Sequence, residues 1–141
     1  MKKTLSKFRP ICLDTNIFAY YFNRESVFHA RSEKIFSDLV SKSLLIVTSI
    51  LTLTELLSYK ANEEAIERLK SDFLSTPNLT IVQVDMKISE DAARIRRKYG
   101  FRLPDAIQLA TALDYKAQTF ITNDKRLKVF KELPITLLTE I

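Results

Sequence analysis

Four carboxylates stand where the sequence pattern ends a strand or begins a helix: Asp14, Glu55, Asp105 and Asp124. Little else in the chain could do chemistry. Its 141 residues include one histidine, His29, one cysteine, Cys12, and one glycine, Gly100. Acidic side chains gathered at one place hold hard divalent cations through their oxygens, and Mg²⁺ so held keeps waters and suits a phosphate substrate. Two such ions roughly 3.5–4 Å apart can activate a water and stabilise the leaving oxygen of a phosphodiester. With a formal net charge of +5, this donor set points to a metal-dependent enzyme acting on a polyanion, since basic charge favours nucleic acid through counterion release.

The same scarcity excludes other chemistries. A dinucleotide-binding fingerprint and a phosphate-cradling P-loop each need several glycines. A two-histidine ribonuclease mechanism is impossible within one chain. Ser-His-Asp or Cys-His catalysis would require His29, which falls early in a helical stretch. Thr15 and Asn16 follow Asp14, so the second acid of an Asp-x-Asp phosphatase signature is missing. That also weighs against a phosphoacceptor receiver built on Asp14 or Asp124.

The elements that must position the acids alternate between strand and helix. Pro10–Leu13, Leu44–Val47, Leu79–Val84, Thr119–Thr122 and Pro134–Leu138 read as strands. Leu44–Val47 is an unbroken apolar run, as in a strand covered on both faces. Helices are expected over Asn16–Phe22, Phe28–Val40, Thr48–Tyr59, Glu63–Leu74, the stretch after Asp85, Pro104–Tyr115 and, briefly, Leu127–Lys131. After Asp85, a capping type, Ile88, Ala92, Ile95 and Tyr99 recur at spacings of four, three and four, and Gly100 suits the helix end. Pro104 suits a first helical turn. The expectation is an α/β fold with a five-stranded parallel sheet and helices on both faces, in one domain over residues 1–141.

In such a sheet, sites form at the carboxyl edge of the strands. Asp14 ends the first strand, Glu55 lies on the helix leaving the second, and Asp124 follows the fourth. Asp105 opens the helix that leads back into that fourth strand. The topology therefore brings all four to one rim, where their mutual repulsion calls for a cation. Taken singly, Asp14, Asp105 and Asp124 read equally well as helix caps or first-turn acids, and Glu55 as a solvated helix residue. Asp85 makes a good cap, and Asp38, Glu67, Asp72, Asp91 and Asp114 fit polar helix faces or ends.

Two basic clusters could meet an anionic substrate. Arg94, Arg96, Arg97, Lys98 and Arg102 crowd one helix end, and Lys125, Arg126 and Lys128 directly follow Asp124. The second cluster is the stronger candidate for RNA phosphate contact because its acid neighbour fixes its place. No apolar run approaches a membrane span. The basic start, Met1 to Thr4, is not followed by a secretory apolar core, so a cytoplasmic protein is expected. Cys12 lies in an apolar run and reads as a small buried hydrophobe.

Four segments, in order across nearly the whole chain, resemble the PIN domain family, most closely its VapC-type toxins from toxin–antitoxin pairs. They are Leu13-Asp14-Thr15-Asn16-Ile17, Leu53-Thr54-Glu55-Leu56, Leu103-Pro104-Asp105-Ala106-Ile107-Gln108-Leu109-Ala110 and Ile121-Thr122-Asn123-Asp124. The resemblance implies a three-layer α/β/α sandwich and an endoribonuclease dependent on one or two Mg²⁺ or Mn²⁺ ions. It makes Asp14, Glu55, Asp105 and Asp124 the metal-binding catalytic acids, with Asn16 and Thr122 supporting them by hydrogen bonds. It also implies a homodimer and a small antitoxin that places a basic side chain in the acidic pocket. Phe18, Tyr20, Tyr21 and Phe22 are candidates for those contacts, or else for the core. The alternative on the same fold is a non-catalytic RNA- or protein-binding domain.

Overall fold

Three strands of the sheet are buried along their whole length, which requires helices on both sides. The computed structural model describes residues 9–141. Met1 to Thr4, the basic start considered above, lie outside the described residues. The strands are β1 (Ile11–Leu13), β2 (Ile46–Ser49), β3 (Leu79–Val82), β4 (Phe120–Thr122) and β5 (Ile135–Leu137). They pair in parallel throughout, in the order β3-β2-β1-β4-β5. The helices are α1 (Thr15–Phe22), α2 (His29–Ser41), α3 (Ile50–Leu56), α4 (Glu63–Leu74), α5 (Met86–Tyr99) and α6 (Leu103–Asp114). Two short 3-10 helices, Lys125–Val129 and Leu138–Glu140, follow β4 and β5.

Alternation along the strands divides the apolar side chains between two cores. Cys12, Val47 and Phe120 point to one face, where Ile88, Ala92 and Ile95 of α5 and Ala106, Leu109 and Ala110 of α6 cover them. Ile11, Leu13, Ile46 and Ile121 point to the other, against Ile17 and Phe18 of α1, Ile35 and Phe36 of α2, Leu56 of α3 and Phe73 of α4. The result is the expected three-layer α/β/α sandwich. Cys12 is buried and unbonded, and burial raises its thiol pKa well above the ordinary range.

The chief departure from the sequence reading is at β2, which lies two residues later than its apolar run. Leu44 is still tied to the end of α2 by its N–H to the Leu39 carbonyl, and Ser43 adopts a positive φ of 55°. The strand instead continues through Thr48 and Ser49, both buried. The Ser49 side chain caps α3 by accepting from Leu51 N at 3.1 Å, so that helix begins at Ile50 and not at Thr48.

This topology sets the place of the acids. The chain winds from β1 outward through β2 to β3, then returns to β4 on the other side of β1. The carboxyl ends of β1 and β4 therefore flank the switch point where open parallel sheets form their crevice. Asp14 caps α1 and Asp124 caps the 3-10 helix, one at each end. Among the described residues no helix is long and apolar enough to cross a membrane.

The α5–α6 corner depends on local rules. Asp85 caps α5, its carboxylate accepting from Ile88 N at 2.9 Å. Gly100 closes that helix in the left-handed region at φ 73°, with no atom near enough to obstruct a Cβ. Gly100→Ala should therefore cost only the backbone strain, ~1 kcal/mol, read as a lower urea midpoint with an unchanged slope. Equal midpoints would contradict this.

Candidate active site

Asp14 is the centre of the rim, a carboxylate only 7% exposed at the end of the central strand. One oxygen accepts from Thr15 N at 2.8 Å and the other from the Thr122 hydroxyl at 2.7 Å. Burial pushes its pKa from 3.8 up to about 6. The two hydrogen bonds oppose the rise, and the charges of Asp105 and Glu55 add to it. Those charges place the three acids within electrostatic reach of one another.

Thr122 has a single hydrogen, and it goes to Asp14. Its oxygen accepts from Asp124 N at 3.1 Å and, more weakly, from the Asn16 amide at 3.5 Å. Asn16 thus reaches the acids only through Thr122. Its carbonyl oxygen is buried and has no hydrogen-bond partner. A buried acceptor without a donor is costly, and here it lies beside a buried carboxylate.

Glu55 is solvent-exposed in the last turn of α3, where its carboxylate accepts from the Thr15 hydroxyl at 2.6 Å. Behind it runs a buried polar chain. Gln108, 1% exposed on α6, donates to Thr52 at 2.7 Å and to Thr15 at 3.3 Å, and accepts from Ser49 N at 3.3 Å. Thr48 donates to the Leu13 carbonyl at 2.9 Å, and Thr48 and Thr52 are 2.7 Å apart. Each hydroxyl has one hydrogen. Since Thr48 gives its own to Leu13 and Thr15 gives its own to Glu55, the single Thr52 hydrogen goes either to Thr48 at 2.7 Å or to Thr15 at 3.1 Å. The chain links Gln108 through Thr52 to Thr48 and β1 on one side and to Thr15 on the other. It locks α1, α3 and α6 onto the sheet around Asp14 and Glu55. The sequence reading assigned no role to Gln108, Thr52 or Thr48. The available signal was one long polar side chain within the apolar run Ala106–Ala112.

Asp105 opens α6 and is 7% exposed. Arg102 Nε lies 3.3 Å from its Oδ2, and Arg126 Nη2 lies 3.7 Å from the same oxygen. Asp124 is held more tightly by Arg126, with Nε 3.0 Å from Oδ1 and Nη2 2.5 Å from Oδ2. The Arg126 guanidinium keeps the Asp124 carboxyl below its ordinary range. The structure thus brings Asp14, Glu55 and Asp105 into one electrostatic group and joins Asp124 to Asp105 through an arginine. Among the described residues no three acidic, histidine or cysteine side chains form a preformed cation site. The threonines and Arg126 each engage a carboxylate of the rim.

The remaining candidates divide. Lys125 is exposed, but Lys128 is drawn away to Glu140 and the Ile135 carbonyl, both at 2.9 Å. In the α5 cluster, Arg94 and Lys98 both pair with Glu132. Phe18 is fully buried against Phe36 and Phe73, so it belongs to the core. Phe22 lines a cavity of about 430 Å³ beside Thr15 and Glu55, with Ala19, Leu56, Tyr59 and Leu69. His29 is half-buried, its ring bonded to the Tyr20 carbonyl and Glu33, away from the acids.

Comparison with known proteins agrees with the fold. A family model described as the PIN domain matches residues 11–133. No curated protein sequence matches the chain. Solved structures share the fold at low identity. VapBC2 from Rickettsia felis, bound to a DNA fragment from its promoter, is 22% identical with a TM-score of 0.74, over 90% of this chain and 97% of that one. A toxin–antitoxin complex from Klebsiella pneumoniae is 22% identical with a TM-score of 0.65, over 93% and 99%. Mycobacterium tuberculosis VapC20, a toxin that cleaves the sarcin–ricin loop, is 18% identical with a TM-score of 0.69, over 88% and 98%.

Two measurements check the site. Folded Asp14 keeps its proton to about pH 6 while the unfolded residue loses it near 3.8. The folded state binds more protons in that window, so this group's contribution to stability falls as pH rises through it, by ~3 kcal/mol in total. In chelator, Asp14→Asn should therefore gain stability relative to wild type between pH 4 and pH 7, read by urea denaturation. Parallel curves would contradict the burial of charge. Gln108→Leu leaves Ser49 N unpaired and should cost about 2–3 kcal/mol by the same method; a cost near zero would remove the polar chain from the account.

Proposed function

The chain belongs to the PIN domain family, and from that premise we propose that it is a metal-dependent endoribonuclease, the toxin of a type II toxin–antitoxin pair. One observation carries the reading. A buried carboxylate, Asp14, shares the sheet's crevice with Asp105 and Glu55 and with an orphaned Asn16 carbonyl oxygen. Oxygen donors of this kind suit Mg²⁺ or Mn²⁺. Asp14, Glu55, Asp105 and Asp124 would hold one or two such ions.

A divalent cation bound there supplies neutralisation of the acids and of the scissile phosphate, and a more acidic water. The chain's own residues supply position. Thr122 and Thr15 N fix both oxygens of Asp14. Thr15 holds Glu55 at the mouth of the crevice, and the buried chain from Gln108 keeps Thr15 in register. Asn16 steadies the Thr122 hydroxyl through its amide. Exposed Lys125 stands near Asp124 for a phosphate, a contact that positions RNA without reading its sequence.

The fold likeness to a toxin that cleaves the sarcin–ricin loop supports cleavage as the activity. The likeness to a toxin–antitoxin complex supports a small protein inhibitor as partner. The cavity lined by Phe22, Leu56, Tyr59 and Leu69 offers such a partner an apolar seat beside Glu55. We read the protein as a single cytoplasmic domain acting as a homodimer.

Asp105→Asn removes one charge from the rim and keeps the shape. It should reduce Mg²⁺- or Mn²⁺-dependent cleavage of cellular RNA by about 10²-fold or more with little change in thermal unfolding. Wild-type cleavage by this variant would overturn the assignment, and so would wild-type cleavage that persists in chelator.

A further inference from the structure

Among the described residues Arg126 stands apart from the other cations because its guanidinium touches two of the four candidate acids, whereas Arg102 touches Asp105 alone, at 3.3 Å. Arg126 leaves the 3-10 helix Lys125–Val129, which Asp124 itself caps. Its Nε is 3.0 Å from Asp124 Oδ1, its Nη2 is 2.5 Å from Asp124 Oδ2, and the same Nη2 is 3.7 Å from Asp105 Oδ2. Asp124 Oδ1 also accepts from Arg126 N at 3.0 Å. A carboxylate oxygen offers two lone pairs, so Oδ1 is fully engaged, and one position of Oδ2 is taken as well.

A divalent ion needs those lone pairs directly, at roughly 2.0–2.1 Å for Mg²⁺. A guanidinium bound side-on to the same oxygens occupies the directions the ion would use. It also places a positive charge against it. Among the described residues nothing comparable covers the other half of the rim, where Asp14 has threonine and backbone donors. The Arg126 side chain is 60% exposed, so it can swing away without disturbing the core.

We propose that Arg126 is an internal counter-cation that competes with divalent metal for the Asp105–Asp124 half of the site, so that metal binds there only as the arginine leaves. The inference rests on the metal-dependent reading above. It adds a regulatory feature of this chain: the pair stabilises the metal-free rim and sets the metal concentration at which the site fills. Once displaced, the guanidinium remains at the crevice mouth, where a substrate phosphate can take the place of the carboxylate as its partner.

The test is calorimetric titration of Mn²⁺ into the purified full chain, compared with Arg126→Gln, Arg126→Lys and Lys125→Gln. Losing one exposed bidentate pair should tighten Mn²⁺ binding about fivefold in Arg126→Gln. Arg126→Lys keeps the charge but loses the fork, and should fall between Arg126→Gln and wild type. Lys125→Gln removes an equal charge one residue away and should stay near wild type. In the wild-type chain, Mg²⁺ should also shift the Arg126 Nε–H resonance toward that of a solvated guanidinium. Equal Mn²⁺ affinity in wild type and Arg126→Gln would overturn the competition alone and leave the nuclease reading standing. Tightening in Lys125→Gln equal to that in Arg126→Gln would likewise overturn it, as a general charge effect. No Mn²⁺ binding by any of the proteins would overturn both.

Discussion

The hydrogen bond from Thr122 to Asp14 joins the ends of β4 and β1, and the crevice is arranged around it. The carboxylate at the end of the central strand is largely shielded from bulk water, and an uncompensated buried charge is expensive. The Thr122 hydroxyl and the Thr15 N–H at the start of α1 offset part of that cost. Asp105 and Glu55 add to it. The geometry of the rim is therefore a solution to a charge problem, and each neighbouring polar residue can be assigned to one part of it.

Three kinds of compensation are visible. Fixed dipoles act on Asp14, through Thr122 and the start of α1. Hydroxyl donation acts on Glu55, through Thr15 and the buried polar chain that includes Gln108. An exposed cation acts on Asp124 and Asp105, through Arg126. The first two are built into packed helices. The third is on an exposed arm. Fixed compensation orients the acids permanently, whereas mobile compensation can give way to another cation. On the proposed competition at Arg126, that division makes the Asp14 side the fixed half of the rim and the Asp124 side the adjustable one.

Much of the scaffold was legible because local rules and burial agree. Helix α4 occupies Glu63–Leu74 as read from its pattern, with Asn62 accepting from Ala65 N at its start. Asp85 and Gly100 bound α5 as their residue types suggest. The errors fall where tertiary partners override composition. Thr48 and Ser49 look like a helix start, yet they finish β2, because the Leu13 carbonyl and Gln108 supply partners that no local window contains. Gln108 itself could be noticed as an oddity on an apolar face, but its partners lie 56 to 93 positions away. The capping of the 3-10 helix by Asp124 is a local feature. The reach of Arg126 to Asp105 is not, since it needs the return of the chain from α6 to β4. Lys128 shows the reverse case: adjacent to the site in sequence, it turns toward Glu140 and β5.

The most direct measurement is an anomalous-scattering map from crystals of the full chain soaked in Mn²⁺. The expected result is a peak in the crevice between the Asp14 and Asp105 carboxylates, with Glu55 turned toward it. Manganese bound only elsewhere on the surface, with the crevice filled by protein hydrogen bonds alone, would contradict the view that these acids are a cation site.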